Sequence, residues 1–191
     1  MNVLKFIYAS LLAIVFIGVT TSAFAQQKLV PAQSEIVFVS KQMGVPVEGR
    51  FKKFDAQLAF DPTKPETSKI SFTVDVASAT LGVPETDAEL PKATWFNTAK
   101  FPQAAFQSSV VKGLGGGKFE VDGALSIKGV SRNIVVPVVV TQSGTTTIVT
   151  GAFPLKRLTF QIGQNEWADT ATVADNVQVR FKLVLTGVSK L

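Results

Sequence analysis

The stretch Phe119-Glu120-Val121-Asp122-Gly123-Ala124-Leu125-Ser126-Ile127 decides the fold class of this chain. Hydrophobic residues or glycine occupy every second position, and acidic or small residues lie between them. Successive side chains of a β-strand point to opposite faces of the sheet. This period of two therefore predicts a strand with one buried face and one solvent face.

The same alternation recurs along the chain. Val177 to Leu185 and Ile70 to Val76 repeat it, and between Val47 and Phe60 it changes phase at Lys52-Lys53, which predicts a bulge or bend. Pro137 predicts an edge, bulge or kink because proline cannot donate to a strand ladder. Further candidate strands cover residues 36–39, 106–111, 134–140, 145–155 and 158–162. About eight or nine strands with turn signals between them predict an all-β sandwich or barrel.

One segment, residues 86–97, departs from this pattern. Thr86 and Glu89 have the spacing of a capping box, and Pro91 limits any regular helix. We therefore expect one or two short helical turns. Trp95 and Phe96 follow, and we expect them to pack over one end of the β-structure.

Residues 1–25 have the layout of a secretory signal peptide. Lys5 supplies the positive charge, residues 11–19 form an apolar core, and Ala23-Phe24-Ala25 matches an A-x-A cleavage site. The alternative is a transmembrane anchor, but the apolar stretch is short for a core about 30 Å thick. We expect cleavage after Ala25, a single domain over residues 26–191, and export to a bacterial periplasm.

The composition excludes several function classes. The chain has no cysteine and no histidine, so disulfides, thiolate nucleophiles, imidazole metal sites and Ser-His-Asp catalysis are all unavailable. The single tyrosine is Tyr8, inside the predicted signal peptide, whereas most of the 15 phenylalanines lie beyond it. A net charge of +5 is too small to suggest nucleic-acid binding. No catalytic or metal-binding residues are predicted.

Four motifs resemble those of the YceI-like family and follow one another in the order found there. Residues 44–54 resemble G-x-x-x-V-x-G-x-F-x-x-F, and residues 95–102 resemble the family's F-F-(D/N) and F-P elements. Residues 106–109 resemble F-x-S, and residues 121–131 resemble V-x-G-x-L-(T/S)-I-(K/H)-G-V-(T/S). Together they extend from residue 44 to residue 131.

This resemblance implies a lipocalin-like antiparallel barrel of eight strands in the periplasm. It implies an isoprenoid lipid as ligand, either an isoprenoid quinone or a polyprenyl phosphate, held in a tunnel for carriage or storage with no required cofactor. Some relatives are linked to cytochrome b561-type membrane proteins, and a homodimer is compatible with the family. The alternatives are an accessory or redox partner of such an electron-transfer system, and a filled barrel that acts as an interaction module.

Alternation alone favours a solid core of phenylalanine, valine and leucine, whereas the resemblance favours a tunnel. The candidate lining and mouth residues are Phe38, Phe51, Phe54, Phe72, Trp95, Phe96, Phe101, Phe106, Phe119, Phe160 and Trp167. The candidate head-group or membrane contacts are Arg50, Lys52, Lys53 and Arg157. Ordinary solvated charge is the alternative for these basic residues.

Overall fold

A computed structural model describes residues 26–191, so the predicted signal peptide lies outside the described residues. Its strands form one antiparallel 11-stranded sheet. They are β1 (Lys28–Leu29), β2 (Glu35–Gln42), β3 (Val45–Phe51), β4 (Phe54–Ala59), β5 (Lys69–Asp75), β6 (Ala79–Thr80), β7 (Gln103–Gly115), β8 (Lys118–Ile127), β9 (Val130–Ser143), β10 (Thr146–Lys156) and β11 (Asn176–Thr186). One α-helix, α1 (Pro84–Asp87), and five 3-10 turns complete the described elements. None of the helices in residues 26–191 is long and apolar enough to cross a membrane.

A single bent strand closes the sheet into a barrel. The hydrogen-bonded order runs β4-β5-β7-β8-β9-β10-β11-β2-β3, and only Lys52 and Lys53 separate β3 from β4. The phase change predicted at this dipeptide is therefore the bend that lets one strand pair with β2 before it and β5 after it. Counted as one strand, with the two-residue β1 and β6 set aside, this segment gives the predicted eight-stranded antiparallel barrel.

After the bend, β4 pairs with β5 and no longer with β2, which leaves a gap between β4 and the end of β11. The segment at Gln27 fills this gap. β1 pairs with the end of β11, and Gln27 bonds to Phe60 just after β4. The Gln27 Nε2 donates to the Phe60 carbonyl at 2.7 Å, and the Phe60 N–H donates to Gln27 Oε1 at 2.9 Å. The side-chain amide thus takes the place of a neighbouring strand's peptide group, which leaves less exposed sheet edge.

Pro137 marks a split in the barrel wall, as its sequence position predicts. β10 pairs with β9 only from Val138 to Ser143, so the ladder ends at the residue that follows the proline. β10 continues beyond the split and pairs with β11 as far as Lys156. Because Pro137 has no N–H, it has no donor of its own to leave unpaired where the strands part.

The chain covers one end of the barrel much more heavily than the other. We define the upper end of the barrel as the end that carries the β2–β3 turn, residues 76–102, the β8–β9 turn and residues 157–175. The lower end carries the β4–β5, β7–β8 and β9–β10 connections and the last residues of the chain. Buried apolar side chains form one cluster near each end.

Two local predictions are wrong, both at the upper end. Residues 158–162 are not a strand, because Arg157–Phe160 forms a 3-10 turn and Gln161 has a left-handed backbone with φ +58°. The capping box is also absent, because the helix begins at Pro84 and its N-cap is Val83, three residues before the expected Thr86. Proline favours this first helical position because its φ is already helical and its missing N–H has no intrahelical partner there.

Candidate binding cavity

The barrel encloses a cavity of about 520 Å³. On β8 the lining runs from Phe119 to Ile127, a length of about 25 Å at the usual rise per strand residue. The lining is almost wholly aliphatic and aromatic, and its polar members are Ser40, Gln42, Glu85, Thr86, Glu89 and Arg157. These polar residues lie on β2 and on segments that cover the upper end, so the cavity has a polar upper end and an apolar lower end.

Glycines in the wall explain why so many phenylalanines leave the barrel hollow. Phe38 pairs with Gly49 across β2 and β3, and Phe181 pairs with Gly151 across β11 and β10. A Cβ on Gly49 would lie 2.3 Å from Phe38 Cζ, and one on Gly151 would lie 2.4 Å from Phe181 Cζ. Such a close approach is open only to glycine. Each ring therefore lies over the backbone of the opposite strand instead of crossing the cavity.

Replacing Gly49 with alanine should narrow the cavity without unfolding the protein. The atoms that the new Cβ would meet all belong to the side chains of Phe38 and Leu81, so the Phe38 ring is expected to move into the cavity. We expect the affinity for a tail that occupies the cavity to fall about tenfold, in line with an overpacking cost of about 1–3 kcal/mol. Isothermal titration of wild type and Gly49→Ala measures this difference.

The matched control is Gly113→Ala in β7, where the nearest atom to a new Cβ is 3.3 Å away. This variant should bind like the wild type. Equal affinities for all three proteins would show that the ring position does not determine the cavity's capacity.

Two tryptophans form the aromatic part of the upper end. The rings of Trp95 and Trp167 lie 5.5 Å apart between centroids, and both residues line the cavity. Their Nε1 atoms are buried and have no hydrogen-bond partner in the described chain, and the same holds for Ser40 Oγ. An unpaired buried donor is costly, at about 1–3 kcal/mol. The upper end therefore holds polar groups that no atom of the described chain satisfies.

The α1 segment is fixed over the cavity by Asp87. Its carboxylate accepts from the Thr80 hydroxyl and from the Leu81 N–H, the latter at 2.6 Å. These hydrogen bonds, the Thr80 hydroxyl first, lower the pKa of Asp87 below its ordinary value. The Asp87 carboxylate therefore fixes the segment that carries Glu85 and Glu89 against the short strand β6.

Arg157 organises the loop that carries Trp167. The side chain is only 2 % exposed, and all five of its N–H groups donate to backbone carbonyls. The Nε donates to Ala174, Nη1 to Ile162 and Gly163, and Nη2 to Trp167 and Val173, over distances of 2.6–3.1 Å. Burial lowers the pKa of Arg157, and the neighbouring Asp175 carboxylate acts in the opposite sense. This guanidinium has no N–H left for a ligand.

Lys128 makes a second cationic link, between the two loops that carry the tryptophans. It is 7 % exposed in the β8–β9 turn, and its ammonium donates to the Ala93 carbonyl at 2.7 Å and to the Gln161 carbonyl at 2.6 Å. The side-chain oxygen of Gln164 accepts the third hydrogen bond at 3.1 Å. Burial lowers the pKa of Lys128. Both tryptophan loops are therefore held by buried cations that bind carbonyl oxygens.

The structure brings eight of the eleven predicted lining residues to the cavity. These are Phe38, Phe51, Phe72, Trp95, Phe96, Phe106, Phe119 and Trp167. The remaining three lie elsewhere. Phe54 stacks on Phe72 at 5.9 Å beside the bend, Phe101 covers Gly129 in the β8–β9 turn, and Phe160 is buried in the upper core cluster.

The predicted head-group residues do not line the cavity as free cations. Arg50, Lys52 and Lys53 are exposed and are not among the lining residues. Arg157 lines the cavity but is saturated by carbonyls, so its prediction as a head-group contact is not supported by the geometry. For Arg50, Lys52 and Lys53 the structure favours the alternative, ordinary solvated charge.

Sequence reasoning missed three phenylalanines that line the cavity, namely Phe60, Phe153 and Phe181. Phe60 and Phe181 continue the alternation of β4 and β11, so the signal was present. The residues of the α1 segment had no such signal, because their place over the cavity depends on the Asp87 contacts.

Comparison with known proteins identifies the family. The model of the YceI-like domain matches residues 27–185. The chain belongs to this family. Protein YceI of Salmonella agona is 33% identical over 137 residues, which cover 70% of this chain and 69% of that protein. A UPF0312 protein of Azotobacter vinelandii is 38% identical over 88 residues. The chain spans about half the length of this second relative, 46%.

Solved structures carry the same YceI-like fold. BcnA of Burkholderia cenocepacia is 45% identical with a TM-score of 0.79, over 82% of this chain and 98% of that one. A polyisoprenoid binding domain from Saccharophagus degradans superposes with a TM-score of 0.69, over 84% of this chain and 98% of that one. At 20% identity, the second likeness shows the fold alone.

Proposed function

We propose that this protein binds an isoprenoid lipid in the barrel cavity and carries or stores it in the periplasm. The tail lies toward the lower end, and a neutral head group of the quinone class lies at the upper end. The observation that carries this proposal is the enclosed apolar cavity with its polar residues confined to one end. The YceI-like fold and the polyisoprenoid binding of the Saccharophagus domain support it.

The lower cavity suits an isoprenoid tail, because such a tail needs no polar partner. Phe60 and Phe119 meet edge to face at 5.2 Å and, with Val140 and Leu185, surround the lower end. Apolar burial contributes about 25 cal/mol per Å², so a tail that buries about 400 Å² gains about 10 kcal/mol before ordering costs. A slim tail is also what an eight-stranded barrel has room for.

The upper end favours a neutral head over a phosphate. Arg157 is the one cationic side chain among the lining residues of the described chain, and carbonyls take all of its N–H groups. Glu85 lies at the same end and would repel an anion, whereas Glu89 is ion-paired with Lys92. The unpartnered Trp95 and Trp167 N–H groups are neutral donors, which match the carbonyl oxygens of a quinone.

The experiment that tests this proposal is a titration of delipidated protein with two ligands of equal tail length. One is a short-chain ubiquinone and the other is a prenyl monophosphate, and binding is followed by tryptophan fluorescence and by calorimetry. We expect the quinone to bind at least about tenfold more tightly, because the phosphate would be buried without a free cation. Tighter binding of the phosphate would contradict the head-group assignment, and no binding of either ligand would contradict the whole proposal.

Removing one indole donor should weaken quinone binding while leaving the tail contribution intact. We expect Trp95→Phe and Trp167→Phe each to lose about three- to tenfold in quinone affinity, the ratio for one neutral hydrogen bond. The control ligand is a prenyl hydrocarbon, which has no acceptor and should bind both variants as it binds wild type. An equal loss for both ligands would mean that the indoles contribute packing alone.

A further inference from the structure

We propose that the β2–β3 turn and the loop before α1 form a surface that docks on a lipid bilayer, where the ligand enters and leaves. Met43 and Val45 at this turn are 80% and 63% exposed, and Val83 in the loop is 48% exposed. We call these three residues the rim patch. The inference rests on the proposed function, because it names the partner from which the same cavity is filled.

The rim patch adjoins the upper end of the cavity lining. Ser40, Gln42 and Val47 flank the turn on both strands and line the cavity. β6 pairs with the end of β3 through Thr80 and Arg50, so the chain that follows runs back beside β3 toward Val45. The next lining residues along it are Leu81 and Glu85, on either side of Val83. A lipid that leaves the cavity between the β2–β3 turn and the loop before α1 therefore passes the rim patch.

Met43 occupies a position where both backbone and solvent disfavour it. Met43 and Gly44 have φ values of +47° and +82° and form a two-residue turn between the paired Gln42 and Val45. Asparagine is the preferred residue at the first position of such a turn, since it tolerates the left-handed conformation and interacts well with water. A methionine that is four-fifths exposed there gains nothing from the fold itself.

The turn is held in place instead of moving freely. The Met43 N–H donates to the Thr172 carbonyl at 2.9 Å, and the Ala174 N–H donates to the Lys41 carbonyl at 2.9 Å. A fixed, convex apolar tip beside a lipid cavity suits insertion into the interface of a bilayer, where exposed apolar side chains are buried. A bilayer also holds the isoprenoid lipids that the proposed function assigns to this cavity.

The test compares Met43→Asn with Leu114→Asn, using vesicles of neutral phosphatidylcholine with and without ubiquinone. Leu114 is 57% exposed near the lower-end hairpin and serves as the matched control. We expect Met43→Asn to reduce vesicle flotation and the initial rate of quinone uptake by fivefold or more. Its thermal stability should stay the same or rise, and Met43→Leu should restore uptake. Leu114→Asn should behave as wild type.

The outcomes separate this inference from the proposed function. Titration with a soluble short-chain ubiquinone should give equal affinities for wild type and Met43→Asn. If neither protein binds it, the proposed function fails, whereas vesicle flotation still reports on the rim patch. Unchanged flotation and uptake in Met43→Asn would overturn the inference. Attachment that needs anionic lipid and disappears in salt, or uptake that needs a membrane protein, would overturn it as well.

Discussion

Replacing Val136 with tryptophan is expected to abolish lipid binding while leaving the barrel folded. Val136 lines the cavity and is 6% exposed, in the middle of β9. An indole at this position extends into the space that the tail would occupy. We expect the affinity for a short-chain ubiquinone to fall by at least about 100-fold, equivalent to about 3 kcal/mol.

Val135 provides the matched control. It precedes Val136 on the same strand, points to the opposite face, and is 54% exposed. Val135→Trp should bind like wild type, because the same side chain is added outside the barrel. Val135→Trp should change stability little, whereas overpacking should cost Val136→Trp about 1–3 kcal/mol, which leaves the barrel folded. Tight binding by Val136→Trp would place the ligand outside the cavity.

Replacing Arg157 with methionine is expected to give the largest loss of stability of any single substitution described above. The change leaves five carbonyl acceptors at the upper end without a donor, several of them buried. Each buried polar group left unpaired costs about 1–3 kcal/mol, less where water can enter. We therefore expect the free energy of unfolding to fall by about 3–5 kcal/mol, measured by urea denaturation.

Arg157→Lys keeps the charge but has three N–H groups without the planar geometry of the guanidinium. It should fall between Arg157→Met and the wild type, and it remains informative if the methionine variant fails to fold. Arg50→Met is the control, because the Arg50 side chain is 63% exposed and its change should stay within about 0.5 kcal/mol. A loss under about 1 kcal/mol in Arg157→Met would show that the carbonyls find other partners.

The barrel is predictable from the sequence because its strands follow the simplest rule of patterning. Alternation places the strands, Lys52-Lys53 locates the bend, and Pro137 locates the split in the wall. Hollowness is not predictable in this way, since alternate apolar residues describe a filled barrel equally well. It depends on which glycine lies opposite which phenylalanine, as with Gly49 and Phe38, and cross-strand register is not visible in one sequence.

The upper end is less predictable because buried polar contacts determine it. Arg157 and Lys128 carry no sequence mark that separates them from the solvated Lys52 and Lys53. Arg157 in fact converts a stretch with strand-like composition into a 3-10 turn by drawing the Ile162 and Gly163 carbonyls to one guanidinium. Such side-chain contacts override local propensity. The predicted aromatic cover of Trp95 lies in its expected place, but the groups that hold it there come from distant segments.

One measurement tests the central claim most directly, namely mass spectrometry of the organic extract of the purified protein. Wild type, Val135→Trp and Val136→Trp are produced in a bacterium that synthesises isoprenoid quinones. Wild type and Val135→Trp should each release about one isoprenoid quinone per chain, as expected for one enclosed cavity, and Val136→Trp should release none. An extract of wild type without any isoprenoid, or equal amounts from all three proteins, would contradict the account.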